Sequence, residues 1–193
     1  MTRLVKAVSG LGLEREIAEK LRRFNDLFSK WNASINLSAA RSSHDVDDHI
    51  LDSLHLIPHL TDLGRVIDVG SGGGFPVVVA AICAPAIHFT ALEPVHKKHA
   101  FLRTAARELV LVNLEAFARR AEDHDVHDYD AATSRATFDL PEWFTMGLSF
   151  VRPGGRVFGF EAMRRDDLPD EVERHSYALE DKTRAIVVVR RPA

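Results

Sequence analysis

Apolar positions in this chain change their spacing once, near residue 65. Before it, Ile17, Leu21, Phe24, Leu27, Phe28 and Trp31 recur three and four apart between Glu14 and Trp31, which builds one apolar face and predicts an amphipathic helix. The opposite face carries Arg15, Lys20, Arg22, Arg23 and Lys30, an ordinary solvated face that is also chemically able to touch phosphates. After an N-A-S-I-N-L-S-A-A-R stretch, Ser42 or Ser43 is placed to cap a second helix with Val46, Ile50, Leu51, Leu54 and Ile57 inward, ending near Pro58.

From residue 65 onward, short apolar runs alternate with helix-like ones. Strands are predicted at Arg65–Val69, His88–Leu92, Val112–Phe117, Tyr129–Ser134, Arg156–Glu161 and Arg184–Val189. Helices fall between them at Phe75–Ala84, Lys97–Val110 (Ala100, Phe101, Ala105 and Leu109 inward) and Pro141–Phe150. R-P-G-G-R reads as a turn, and Glu171–Ala178 fits neither period. Such alternation is the signature of an α/β fold with a mostly parallel sheet. We therefore expect one domain, with residues 1–62 as a helical cap and 63–193 as the α/β core.

Composition narrows this picture. At 193 residues and 46% hydrophobic, the chain supports one well-formed core. Its 25 Lys and Arg against 28 Asp and Glu give a formal charge of −3, so a nucleic-acid contact would need a local patch, for which Arg119, Arg120, Arg164 and Arg165 are the candidates. The single Cys83 lies in an apolar helical run and reads as a small buried side chain. M-T-R-L-V-K-A-V-S-G lacks the apolar core of a signal peptide, and no run of about 18 apolar residues occurs, so the expectation is a soluble, cytoplasmic protein without a membrane partner. His44, His49, His55 and His59 have no convincing ligand spacing, since Pro58 interrupts the His55/His59 pair, and no metal is expected.

The chemistry concentrates in Arg65–Pro76, R-V-I-D-V-G-S-G-G-G-F-P, where a strand turns sharply into a helix. Gly70, Gly72 and Gly74 are free to take positive φ and lack a Cβ, so a ligand could rest against the backbone and the helix-start N–H groups. A dinucleotide fingerprint would place glycine at position 75, where this chain has Phe75. The D-x-G-x-G-x-G pattern instead resembles the first motif of class I S-adenosylmethionine-dependent methyltransferases. Glu93 ends the second strand about 20 residues past the loop, the distance at which an acid accepts from ribose hydroxyls. Glu122 follows the third strand, at the edge where an adenine would lie, and its spacing equally suits a helix-start carboxylate near the macrodipole. Arg135 ends the fourth, at the carboxyl edge where open α/β sheets bind ligands.

Several separate pieces together resemble the bacterial small-subunit (16S) ribosomal RNA guanine-N7 methyltransferase family, also called glucose-inhibited division protein B. They are F-N-D-L-F-S-K-W-N, I-N-L-S-A-A-R, H-I-L-D-S-L, I-D-V-G-S-G-G-G-F-P, K-K-H-A-F-L-R, R-A-E and T-S-R-A, spanning residues 24–136. The resemblance implies a Rossmann-like sheet with an antiparallel C-terminal strand, S-adenosylmethionine as cofactor, and donor contacts from Gly70, Phe75, Ala121, Glu122 and Arg135. It also implies 16S RNA of the small ribosomal subunit as partner; a monomer is assumed. No catalytic side chain is assigned, since guanine N7 has a free lone pair and transfer to it is mainly positioning and electrostatics. Arg135 is open between donor, guanine O6 and phosphate. S-R-A-T stands where exocyclic-amine enzymes carry Asn or Asp with Pro-Pro and an aromatic, and Cys83 is on the wrong helix for cytosine C5 chemistry.

The chain also departs from the family. Val77, Val78 and Val79 replace a glycine-proline helix entry, Glu161 stands near the place of a family lysine, and the C-terminal portion is short. These leave open two alternatives: a small-molecule or protein acceptor, and a donor-binding ribosome-associated factor without catalysis.

Overall fold

The computed structural model describes residues 2–193. Three helices precede the sheet: α1 (Arg3–Gly10), α2 (Arg15–Ile35) and α3 (Ser43–Leu54). Helix α1 was not foreseen, because its eight residues bring only Leu4 and Val8 to the core. Helix α2 runs a turn beyond Trp31 and stops at Asn36, whose left-handed backbone terminates it. Ser42, not Ser43, caps α3: its hydroxyl accepts from Asp45 N–H while the Asp45 carboxylate accepts from Ser42 N–H. A 3₁₀ turn at Ile57–Leu60 follows.

The α/β part contains β1 (Arg65–Val69), α4 (Val77–Cys83), β2 (His88–Leu92), α5 (His96–Glu108), β3 (Leu114–Phe117), β4 (Tyr129–Ser134), α6 (Leu140–Phe150), β5 (Val151–Glu161), β6 (Glu173–Leu179) and β7 (Lys182–Arg190). The sheet order is β3-β2-β1-β4-β5-β7-β6. Strands β1 to β5 pair in parallel, while β7 is antiparallel to both β5 and β6. The chain leaves β1 toward β2 on one side and returns as β4 on the other, so β1 and β4 flank the topological switch point. Ligands in open α/β sheets bind outside the carboxyl ends at such a crevice. Gly70, Glu93 and Arg135 all follow immediately on strands that end at that edge.

Two expectations about the strands needed correction. R-P-G-G-R is not a turn between elements but an irregular stretch inside β5: Tyr129 pairs with Val151, yet Ala131 already pairs with Arg156. Gly154, at φ +74°, absorbs the extra residues. The ambiguous Glu171–Ala178 segment becomes β6, a half-exposed edge strand in a hairpin with β7. Its period was not legible because Val172, Tyr177 and Ala178 are the only apolar residues in that segment, too few to show either spacing.

The helical cap and the sheet share a core. Phe24 and Phe28 of α2 pack on Phe75 at centroid distances of 5.3 and 5.1 Å and also against Phe101 of α5. Burial of each ring contributes about 2–3 kcal/mol, which binds the cap to the glycine loop. Helix α4 is buried over its whole length, so Val77–Val79 serve as packing rather than as a loop extension. On α5, Ala100 is exposed, contrary to its expected inward position, and Leu102 is buried instead. Helix α6 covers the other sheet face, where the Trp143 indole N–H donates to the Phe158 carbonyl at 2.8 Å.

Candidate active site

Three glycines shape the turn from β1 to α4: Gly70 (φ +73°), Gly72 (φ +52°) and Gly74 (φ +85°). The Gly70 and Ser71 N–H groups donate to the Leu92 carbonyl at 2.9 and 3.0 Å, which pins the loop to the end of β2. A Cβ on Gly70 would collide with Thr137, whose hydroxyl donates to the Gly70 carbonyl at 3.1 Å. A Cβ on Gly72 would meet only the Gly70 carbonyl oxygen, at 3.8 Å, so this glycine borders open space.

That space is a cleft of about 560 Å³ lined by Gly70, Gly72, Phe75, Glu93, Lys98 and Arg135, among others. A second cavity of about 190 Å³ lies between the ends of β2 and β3, with Leu92, Arg119, Ala121, Glu122 and Phe138 in its wall. Gly70, Pro94 and Thr137 border both, so the two form one bent site. The six residues singled out in the sequence thus line one bent site: Gly70, Phe75, Glu93 and Arg135 on the cleft, Ala121 and Glu122 on the smaller arm, with Gly70 bordering both.

Glu93 is buried and holds the loop. Its Oε2 accepts from Gly72 N–H and its Oε1 from Val95 N–H, each at 2.8 Å. Each oxygen keeps a lone pair for a ligand hydroxyl. Asp68, beneath the loop, was not singled out by sequence. It is 1% exposed and neither carboxylate oxygen has a hydrogen-bond partner. Burial pushes its pKa up to about 7, the Glu93 charge adds to the rise and the Arg135 charge opposes it, while the Ser71 hydroxyl donates not to the carboxylate but to the Asp68 backbone carbonyl at 3.1 Å. An acid inside the apolar run V-I-D-V was the available signal, because burying one without a partner is expensive unless a ligand supplies charge.

Arg135 is held by the helical cap. Its Nη1 donates to Asp52 Oδ2 at 3.0 Å and to the His49 carbonyl at 3.2 Å, and its guanidinium lies 5.0 Å over the Phe75 ring and 5.9 Å over Phe160. Asp52 also accepts from Tyr177 of β6 at 2.7 Å and from Arg184 of β7 at 3.3 Å. One buried carboxylate of α3 therefore gathers donors from three parts of the sheet. Asp52 was missed, although it stands among the buried positions of H-I-L-D-S-L.

Residues 17–190 match the family described as rRNA small subunit methyltransferase G (GidB). The chain belongs to this family. A relative named ribosomal RNA small subunit methyltransferase G from Neisseria meningitidis is 37% identical over 150 residues, covering 77% of this chain and 72% of the relative. One of the same name from Burkholderia mallei is 38% identical over 182 residues, covering 86% and 79%. Among solved structures, the S-adenosylmethionine-dependent methyltransferase SibL superposes with a TM-score of 0.63 at 20% identity, over 78% of this chain and 57% of that one. The O-methyltransferase TomG from Streptomyces achromogenes, solved with S-adenosylmethionine, gives 0.61 at 17% identity over 88% and 90%. At such identities the likeness concerns the fold, that of class I S-adenosylmethionine-dependent methyltransferases.

The residues at which this chain departs from the family pattern are taken up by packing and ion pairs within the fold. Glu161 is buried, and Arg174 grips both its oxygens at 2.8 and 3.0 Å while Arg165 N–H donates at 2.9 Å. Burial alone would raise its pKa, but these partners hold it below the usual carboxylate value. The carboxylate is thus held by partners within the protein where it lines the cavity beyond β4. Of the four arginines expected to form a basic patch, Arg165 is bridged by Asp139 and Asp167, whereas Arg119 and Arg120 are exposed and Arg164 has only a 3.8 Å contact with Asp166. His44, Asp48 and Glu180 converge as metal ligands would, but the Arg3 guanidinium already sits among them, 2.7 Å from Asp48, 2.9 Å from His44 and 3.2 Å from Glu180. His55 stacks on Tyr177 at 3.9 Å. No helix among the described residues is long and apolar enough to cross a membrane.

Proposed function

We propose that this protein transfers a methyl group from S-adenosylmethionine to N7 of a guanine in the 16S RNA of the small ribosomal subunit. The observation that carries this reading is the bent site around Gly70 and Thr137: open space over Gly72, two further acceptor lone pairs on Glu93, and an unpaired Asp68 beneath the loop. These features fit a donor with a cationic amino-acid end, a ribose and an adenine. The loop from Gly70 to Phe75 would hold the amino-acid end, Glu93 the ribose hydroxyls, and Ala121 and Glu122 the adenine. When bound, S-adenosylmethionine supplies an electrophilic methyl group on a sulfonium.

What the chain's own residues must then do is position the acceptor. Guanine N7 carries a lone pair that needs no deprotonation, so no general base is required. The residues after β4 are S-R-A-T, which lack the acid or amide with tandem prolines suited to exocyclic amines. Cys83 is buried in α4 and burial pushes its thiol up to about 12, so thiolate attack on a pyrimidine is unsupported. Arg135, fixed by Asp52, puts positive charge beside the cleft. Glu161, one of the two features that favour a small-molecule or protein acceptor, is paired with Arg174; the other, the net charge of −3, stands. We read residues 1–62 and 63–193 as one domain, since Phe24 and Phe28 share the core with Phe75, and we take it to act as a monomer in the cytoplasm.

The test is transfer of labelled methyl to small ribosomal subunits lacking the modification, followed by chemical cleavage at 7-methylguanine. Label at one guanine is expected. Donor binding without label in ribosomal RNA would overturn the acceptor, and failure to bind the donor would overturn the site.

A further inference from the structure

Beyond β4 lies a third cavity of about 350 Å³, between the segment that follows Arg135 and the one that follows Glu161. Phe138, Leu140, Trp143 and Phe160 give it apolar walls, and Met163 and Arg164 stand at its edge. It borders the bent site at two points, sharing Ala136 with the cleft and Phe138 with the smaller arm. The Phe138 ring is fixed by stacking on Trp143, at 5.9 Å and an interplanar angle of 13°. Met163 is 81% exposed, a large apolar side chain in water beside an apolar cavity.

Guanine N7 lies on the major-groove edge, and in an RNA helix that groove is too deep and narrow for side chains to enter. A methyltransferase acting there needs an unpaired or extruded base, and hence a pocket for a purine next to its donor site. A nucleobase has two apolar faces and polar edges, and thioethers and aromatic rings pack against such faces at low cost. We propose that this third cavity receives the acceptor guanine, with Met163 and Phe138 contacting its faces and Arg164 contacting the adjoining phosphate. The neighbouring cavity at His49, Asp52, Arg135, Tyr177 and Arg184 suits a base less well. Its polar groups are committed to one another, and an entering base would have to break the Asp52 contacts.

This inference rests on the RNA-methyltransferase reading, and the experiment separates the two. Methyl transfer to small subunits lacking 7-methylguanine is measured for the unsubstituted protein, Met163→Glu, Met163→Leu and Ala162→Trp, together with calorimetric affinity for S-adenosylmethionine. Met163 and Ala162 are exposed and border neither arm of the donor site, so fold and donor affinity should be unchanged. We expect kcat/KM for subunits to fall at least tenfold in Met163→Glu and Ala162→Trp, and Met163→Leu to stay within about threefold. If both Met163→Glu and Ala162→Trp stay within twofold while the unsubstituted protein transfers methyl, the acceptor pocket is overturned and the function stands. Loss in Met163→Glu alone assigns the effect to charge repulsion of RNA and also overturns the pocket. No transfer by the unsubstituted protein overturns both.

Discussion

Removing Asp52 should cost this protein much of its stability. The carboxylate is almost fully buried and accepts from Arg135 at 3.0 Å, Tyr177 at 2.7 Å and Arg184 at 3.3 Å. Asp52→Ala leaves the Arg135 guanidinium, whose side chain is 12% exposed, without a counter-charge and the Tyr177 hydroxyl without an acceptor. Breaking a buried pair from one side costs about 3–5 kcal/mol, because the remaining charge is desolvated and unpaired. The orphaned hydroxyl adds about 1 kcal/mol or more, less than additively. Against a typical stability of about 5–15 kcal/mol this is a large fraction. Urea unfolding followed by Trp31 and Trp143 fluorescence measures it, and Asp52→Asn, which keeps an acceptor for Tyr177, should lose less. Replacing both partners, Asp52→Ala with Arg135→Met, should recover only the part of the loss due to the unpaired Arg135, since Tyr177 and Arg184 still lack their acceptor, and should leave methyl transfer absent. A loss under about 1 kcal/mol for Asp52→Ala would refute the reasoning, since a well-solvated Arg135 would not need its partner.

Three further outcomes are expected. Arg135→Lys should lower methyl transfer by at least about tenfold despite the retained charge, because a lysine cannot both lie flat over Phe75 and reach Asp52; wild-type turnover would remove Arg135 from the site. Asp68 has a folded-state pKa of about 7 against an ordinary 3.8, so the folded state binds the extra proton between these values. Its contribution to stability therefore falls as pH rises from about 4 to about 7 and levels off above that, by an amount on the order of 4 kcal/mol. Asp68→Asn should flatten that part of the stability–pH curve of the free protein and weaken donor binding; identical curves for the two proteins would discount the buried acid. Gly72→Ala, at φ +52° and beside open space, should cost only about 1–2 kcal/mol in urea unfolding yet weaken S-adenosylmethionine binding more than tenfold by calorimetry.

Much of this architecture is local information. The strands Arg65–Val69, His88–Leu92 and Tyr129–Ser134 were delimited residue for residue, because each is a short, mostly apolar run closed by residues unsuited to continue it. The loop Gly70–Phe75, the acid Glu93 at its strand end, and Arg135 after β4 follow from spacing alone, since a parallel sheet carries every strand end to one edge. Helix α1 was not legible in this way: eight residues are too few to reveal a period and are held by packing on α2 and α3. The β5 irregularity escaped because Pro-Gly-Gly has the same composition in a turn and in a bulge, and only the register with β4 distinguishes them.

The sequence by itself determined the fold class and the strand-end positions of Gly70, Glu93 and Arg135, which depend on order along the chain, while Phe75 and Ala121 entered only through the family resemblance. Only the tertiary structure decided which charges are available to a ligand. Asp52 and Arg135 are 83 positions apart, and Glu161 and Arg174 are 13 apart on strands β5 and β6, which are separated in the sheet by β7. No local pattern announces such pairs, because a buried charge is selected by whatever partner the fold brings within about 3 Å of it, and that proximity exists only after the cap has closed on the sheet.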